Sequence, residues 1–178
     1  MNARALPRKR SRPATALVQP TVPSGQDRAD GHGAAGAVVA LDLGARRIGV
    51  ARCDSARRLA FPYGVLERSG DVDADLRAMA GLVVELRASA VVVGLPLSLS
   101  GRRGPEARRA AAEAERLDAA LRPNGISVEL FDERFTTRSA EAALREAGSS
   151  PRQGRRVPVD AAAATVLLQS WLDREALA

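Results

Sequence analysis

The chain has 178 residues, enough for one good-sized domain; with 46% apolar but only 3% aromatic residues, Val, Leu and Ala must build its core. A formal charge of +6 and a pI near 11.0 point to a polyanionic partner, unless the Arg excess is only the habit of its genome. One cysteine (Cys53) and one histidine (His32) exclude an intrachain disulfide and a His/Cys zinc site and argue against a Ser-His-Asp triad, so any catalysis must rest on carboxylates, Arg and Ser/Thr, with or without a metal held by oxygen.

Residues 1–36 carry Pro, Gly, Ser and Thr, no apolar periodicity and the basic cluster PRKRSRP, which predicts a disordered basic tail. Its net charge is +4, from six Arg or Lys against Asp27 and Asp30. Such a tail is either a nucleic-acid-binding arm or an extension without a role. No apolar stretch follows PRKRSRP, so it does not read as a signal peptide. The longest apolar run, AAAATVLLQSWL, falls short of the ~20 residues a membrane span needs. The expectation is a cytoplasmic protein without a membrane partner.

The folded domain is expected over 37–178. AVVALDL (37–43) reads as a strand, GARR as a turn and IGVARC (48–53) as the second arm of a hairpin. LAFPYGVLE (59–67) makes a third strand. Residues 73–88 place Leu76, Met79, Leu82, Val83 and Leu86 at helical spacing, and the all-apolar AVVVGLPL (90–97) suits a strand buried on both faces. A long amphipathic helix within GRRGPEARRAAAEAERLDAALRPNG shows Ala110, Ala114, Leu117 and Leu121 on one face, and RPNG stops it. ISVELF (126–131) is a strand, 137–147 a short helix, GSSPRQGRR (148–156) a basic loop, and the last helix starts near Asp160. The order βββ-α-β-α-β-α-α predicts an α/β fold: an antiparallel three-strand meander continuing into parallel strands, flanked by helices.

Three acidic positions stand out. Asp42 interrupts an apolar strand, where a lone carboxylate is costly unless paired or bound to metal, and Gly44 leaves room beside it. It could instead hydrogen-bond the turn GARR. Asp132-Glu133, in ELFDERFTT, ends a buried strand, the place where open α/β sheets bind ligands, although acids there also suit a helix start capped by Thr136 or Thr137. Asp160 follows Pro158 and, taken alone, reads more readily as a helix N-cap than as a functional acid. Taken together, the acids are what a Mg²⁺ or Mn²⁺ site needs when a phosphate completes the shell, and a basic surface would attract the backbone to be cut.

Four stretches, ALDLGARRIGVA, VVVGLPLSLSGRRGPEA, FDERFTTRSAEAAL and VDAAAATVLLQSWLD, resemble the YqgF (RuvX-like) family of RNase H-like nucleases, described as Holliday junction resolvases or pre-16S rRNA nucleases. The similarity covers about 38–173. It implies an RNase H-like fold with a five-stranded mixed sheet and a catalytic, metal-binding set of Asp42, Glu133 and Asp160, with Asp132 the neighbour most easily confused with Glu133. Mg²⁺ or Mn²⁺ is the implied cofactor, with Asp42 bridging the metals. Arg46, Arg47, Arg134, Arg155 and Arg156, at turns and element ends, are candidate nucleic-acid contacts. The chain departs from the family where Ser100-Gly101-Arg102-Arg103 replaces an acidic pair, and where Ala45-Arg46 replaces Thr-Lys.

The resemblance implies 5′-end maturation of precursor 16S rRNA in ribosome biogenesis, with precursor rRNA or a ribosomal precursor particle as partner. Branched DNA is the alternative, with the same chemistry, and the chain would act as a monomer or homodimer. A non-catalytic RNA-binding assembly factor is a third reading; retention of all three acids opposes it. DLGARRIGVA also resembles the phosphate-binding hairpin of actin-like ATP-binding proteins, but those need two such domains.

Overall fold

The computed structural model describes residues 17–18, 36–98, 100–133 and 157–178. The meander is β2 (Ala37–Leu43), β3 (Arg47–Cys53) and β4 (Ala60–Glu67), followed by α1 (Val72–Glu85), β5 (Ala88–Leu95), α2 (Pro105–Leu121), β6 (Ser127–Asp132) and α3 (Val159–Glu175). A two-residue strand, β1 (Leu17–Val18), comes from the segment read as a tail and pairs antiparallel with β4. Sheet order is β1-β4-β3-β2-β5-β6. The β2–β3 and β3–β4 pairs are antiparallel, and β2–β5 and β5–β6 are parallel. The mixed sheet of five long strands expected from the sequence is therefore present, with β1 as an extra edge. The helix expected over 137–147 and the loop over 148–156 lie outside the described residues.

Local chemistry sets the element ends. Asp71 caps α1, accepting hydrogen bonds from the N–H groups of Asp73 and Ala74. Pro105 opens α2, and Gly125, with φ of 71°, turns the chain out of the short 3-10 segment at 122–124 into β6.

Alternation along the strands sorts the core into two layers. Val39, Leu41, Ile48, Val50, Val91 and Val93 pack beneath α1 and α2. Val38, Ala40, Ala51, Cys53, Val92 and Phe131 pack beneath Ala164, Leu167, Leu168, Trp171 and Leu172 of α3. Helix α3 is also pinned by polar contacts: Gln169 Oε1 accepts from Ala60 N at 2.9 Å, and Trp171 Nε1 donates to Glu129 Oε2 at 3.0 Å.

Candidate active site

On the α3 face of the sheet, the row beyond Val38 and Ala40 on β2 is Asp42. The positions beside it on the same face lose their side chains. Gly49 of β3 lies opposite Asp42 in register. A Cβ there would stand 1.9 Å from the Asp160 carbonyl oxygen, so only glycine lets the start of α3 lie against β3. On β5, a Cβ at Gly94 would stand 2.5 Å from Glu133 Oε1. Two glycines thus open the space in which acids from three elements gather.

The electrostatics follow from that gathering. Burial pushes the Asp42 carboxyl above its usual range, and the charge of Asp160 pushes it further. Glu133 is raised to about 7, first by burial and then by the charges of Asp42, Asp132 and Glu106. Asp160 is met by Arg47, whose Nε stands 3.1 Å from Oδ2. The pair is close but lacks hydrogen-bond alignment, because that buried oxygen accepts no hydrogen bond among the described residues.

The structure separates the competing readings of two acids. The hairpin turn is closed by other groups: Gly44 N donates to the Asp42 carbonyl at 3.1 Å, and Arg68 donates to the Arg46 and Gly44 carbonyls. Pro158 occupies the N-cap of α3, and Asp160 sits inside the first turn, where it suits the positive helix end without capping it.

A cleft of about 210 Å³ opens at the ends of β2 and β5, lined by Asp42, Gly44, Gly94, Glu106, Arg109 and Glu133 among others. Glu106 and Arg109 were not singled out in the sequence. A Glu just after Pro105 reads as an ordinary helix start, and only the packing of α2 brings it to the cleft. Arg46 and Arg47 are exposed on the hairpin turn. Arg134, Arg155, Arg156, Thr136 and Thr137 lie outside the described residues.

Among the described residues, no three acidic, His or Cys side chains form a ready-made metal cage. The chemistry of the donor set nevertheless fits a divalent cation. Asp42 and Glu133 are raised by neighbouring negative charge, and Asp160 keeps a buried oxygen without a hydrogen bond. A cation beside Asp42 and Glu133, which line the same cleft, would offset that charge, and hard oxygen donors are what Mg²⁺ and Mn²⁺ take; Asp160 is not among the residues lining the cleft.

Three antiparallel strands continuing into two parallel ones, with α3 across one face, define an RNase H-like fold. The chain belongs to the family whose model is described as "RuvX: Holliday junction resolvase", which matches residues 36–174. A relative from Anaeromyxobacter dehalogenans (strain 2CP-C), named "Putative pre-16S rRNA nuclease", is 46% identical over 136 residues, 76% of this chain and 96% of the relative. A relative of the same name from Mycobacterium sp. (strain KMS) is 42% identical over 145 residues, 82% of this chain and 84% of the relative. Among solved structures, T. thermophilus RuvC in complex with Holliday junction substrate aligns with a TM-score of 0.55 at 15% identity, covering 79% of this chain and 96% of that one. The likeness to RuvC carries the fold alone.

Proposed function

We propose that this chain is a cytoplasmic, metal-dependent nuclease that hydrolyses phosphodiester bonds in the 5′-end maturation of precursor 16S rRNA, with Asp42, Glu133 and Asp160 as its catalytic acids. One observation carries the reading. Burial and the charge of Asp42 on β2 oppose ionisation of Glu133 at the end of β6, over a floor cleared by glycine. Paired acids in a cleft are costly to the fold and useful to a cation. The rRNA substrate comes from the name of the relatives at 42–46% identity.

A Mg²⁺ or Mn²⁺ ion held by Asp42, Glu133 and Asp160 would supply an acidified water and positive charge for the leaving oxygen. The chain's own residues do the rest. Asp42 is fixed by a strand hydrogen-bonded on both sides. Without the ion the Glu133 carboxyl stands at about 7; with the ion bound, Glu133 would act as an ionised ligand. Arg46 and Arg47 present charge to the phosphate backbone, and Arg134, Arg155 and Arg156 extend that role.

A second reading has one specific support, the family description as Holliday junction resolvase. It keeps the same acids on a four-way DNA substrate and needs a homodimer, so that two sites face one junction. The RNA reading is met by a monomer. Cleavage of 5′-extended precursor 16S RNA and of a four-way DNA junction, measured side by side, separates the two. Faster RNA cleavage is expected. Preferential junction cleavage would favour the second reading, and RNA binding without any cleavage would return the chain to the assembly-factor class.

A further inference from the structure

We infer that Arg68 is a positioning residue that clamps the hairpin turn at residues 44–47, and through it the placement of Asp42 and the contact of Arg47 with Asp160. The kinetic part of this inference rests on the proposed function; the structural part does not.

Arg68 follows β4 and grips the turn twice. Its backbone N donates to the Arg46 carbonyl at 3.0 Å, and its Nε donates to the Gly44 carbonyl at 3.0 Å. Its Nη1 donates to Glu113 Oε2 of α2 at 2.8 Å and lies 3.5 Å from Asp75 Oδ2 of α1. Asp75 is itself held by the backbone N and the Oγ of Ser69, at 2.8 and 2.7 Å. The Arg68, Asp75 and Glu113 side chains are 10%, 4% and 7% exposed. On the same helix Arg109, which lines the cleft, stands 3.8 Å from the other Glu113 oxygen.

Stability does not explain this cluster. Buried ion pairs stabilise no better than apolar packing of the same volume. Arg68 Nη2 is also buried without an acceptor among the described residues. What the arrangement supplies is position: β4, α1 and α2 all bear on one carbonyl, two residues from Asp42. The turn has little slack, since a Cβ at Gly44 would stand 2.6 Å from the Arg47 carbonyl oxygen. A lysine would keep the charge but cannot serve Gly44 and Glu113 in the same planar geometry.

The test uses the full chain and an internal control. Arg57 makes comparable bonds at the opposite end of the sheet, donating from Nη2 to the Gly36 carbonyl at 2.7 Å and to Ser89 Oγ at 2.8 Å. Arg68→Lys and the milder Glu113→Gln should speed amide exchange at Gly44 and at residue 68 by about tenfold or more and lower kcat by about 10–100-fold with little change in KM. Arg57→Lys should do neither at a matched loss of Tm. If Arg68→Lys and Glu113→Gln exchange at those amides no faster than Arg57→Lys, the inference is overturned, whatever the kinetics. If wild type cleaves neither RNA nor junction, the proposed function fails and the exchange data alone decide the clamp.

Discussion

Glu133 holds its proton up to about pH 7 because burial and three neighbouring carboxylates oppose its charge. An unfolded Glu titrates near 4.5, so the folded state retains a proton that the unfolded state has lost between those values. This contribution to stability is complete below pH 4.5 and is lost as pH rises through about 7. The Tm of the metal-free protein should therefore fall over that window. Glu133→Gln should flatten the fall by several degrees, as thermal melts at closely spaced pH values would show. Asp42, raised in the same direction, adds to the slope. At pH 8, Mn²⁺ should raise the wild-type Tm more than that of Glu133→Gln, because the ion replaces the lost proton. Equal slopes in the two proteins would remove Glu133 from the acid cluster. At this scale much was legible in the sequence. A carboxylate inside AVVALDL is conspicuous without any structure, because burial of an unpaired charge is so costly. Glu106 was not legible, since its proximity to Glu133 arises from helix packing that no local pattern encodes.

Two glycines tie the elements to the site, and they make opposite predictions. At Gly49 an added methyl meets the backbone of α3, which cannot yield without lifting the helix. Gly49→Ala should destabilise by about 1–3 kcal/mol and also abolish cleavage, since Asp160 moves with the helix. At Gly94 the nearest atom is the tip of the Glu133 side chain. Gly94→Ala should fold within about 1 kcal/mol of wild type and lose cleavage about a hundredfold by displacing one carboxylate. Paired urea melts and single-turnover cleavage assays would check both; a fully active Gly94→Ala would separate that carboxylate from catalysis. Among the described residues, periodicity located the strands and helices to within a few residues, with Ala88–Leu95 observed where 90–97 was expected. It could not show that glycines inside strands were spacers for acids on other elements, because strand pattern carries no information about what packs above it. The cap expected of Asp160 illustrates the same limit: Pro158 takes that position and leaves the carboxylate facing Asp42 and Arg47.

The whole molecule carries +6, of which residues 1–36 contribute +4. Binding to RNA should weaken steeply with salt, and removal of residues 1–36 should make the slope of log K against log salt shallower by about two to four units if the tail contacts phosphate. An unchanged slope would assign the tail no part in binding. No helix among the described residues is long and apolar enough to cross a membrane. Asp42 of β2 lies near both Glu133 at the end of β6 and Asp160 in the first turn of α3, and Arg47 meets Asp160. The central claim is that these acids perform hydrolysis. It is tested most directly by single-turnover cleavage of 5′-extended precursor 16S RNA in Mg²⁺ or Mn²⁺ by wild type and by Asp42→Asn, which preserves shape and removes the charge. Cleavage should fall by about a thousandfold or more in the variant with RNA binding retained; equal cleavage by the two proteins would contradict the account.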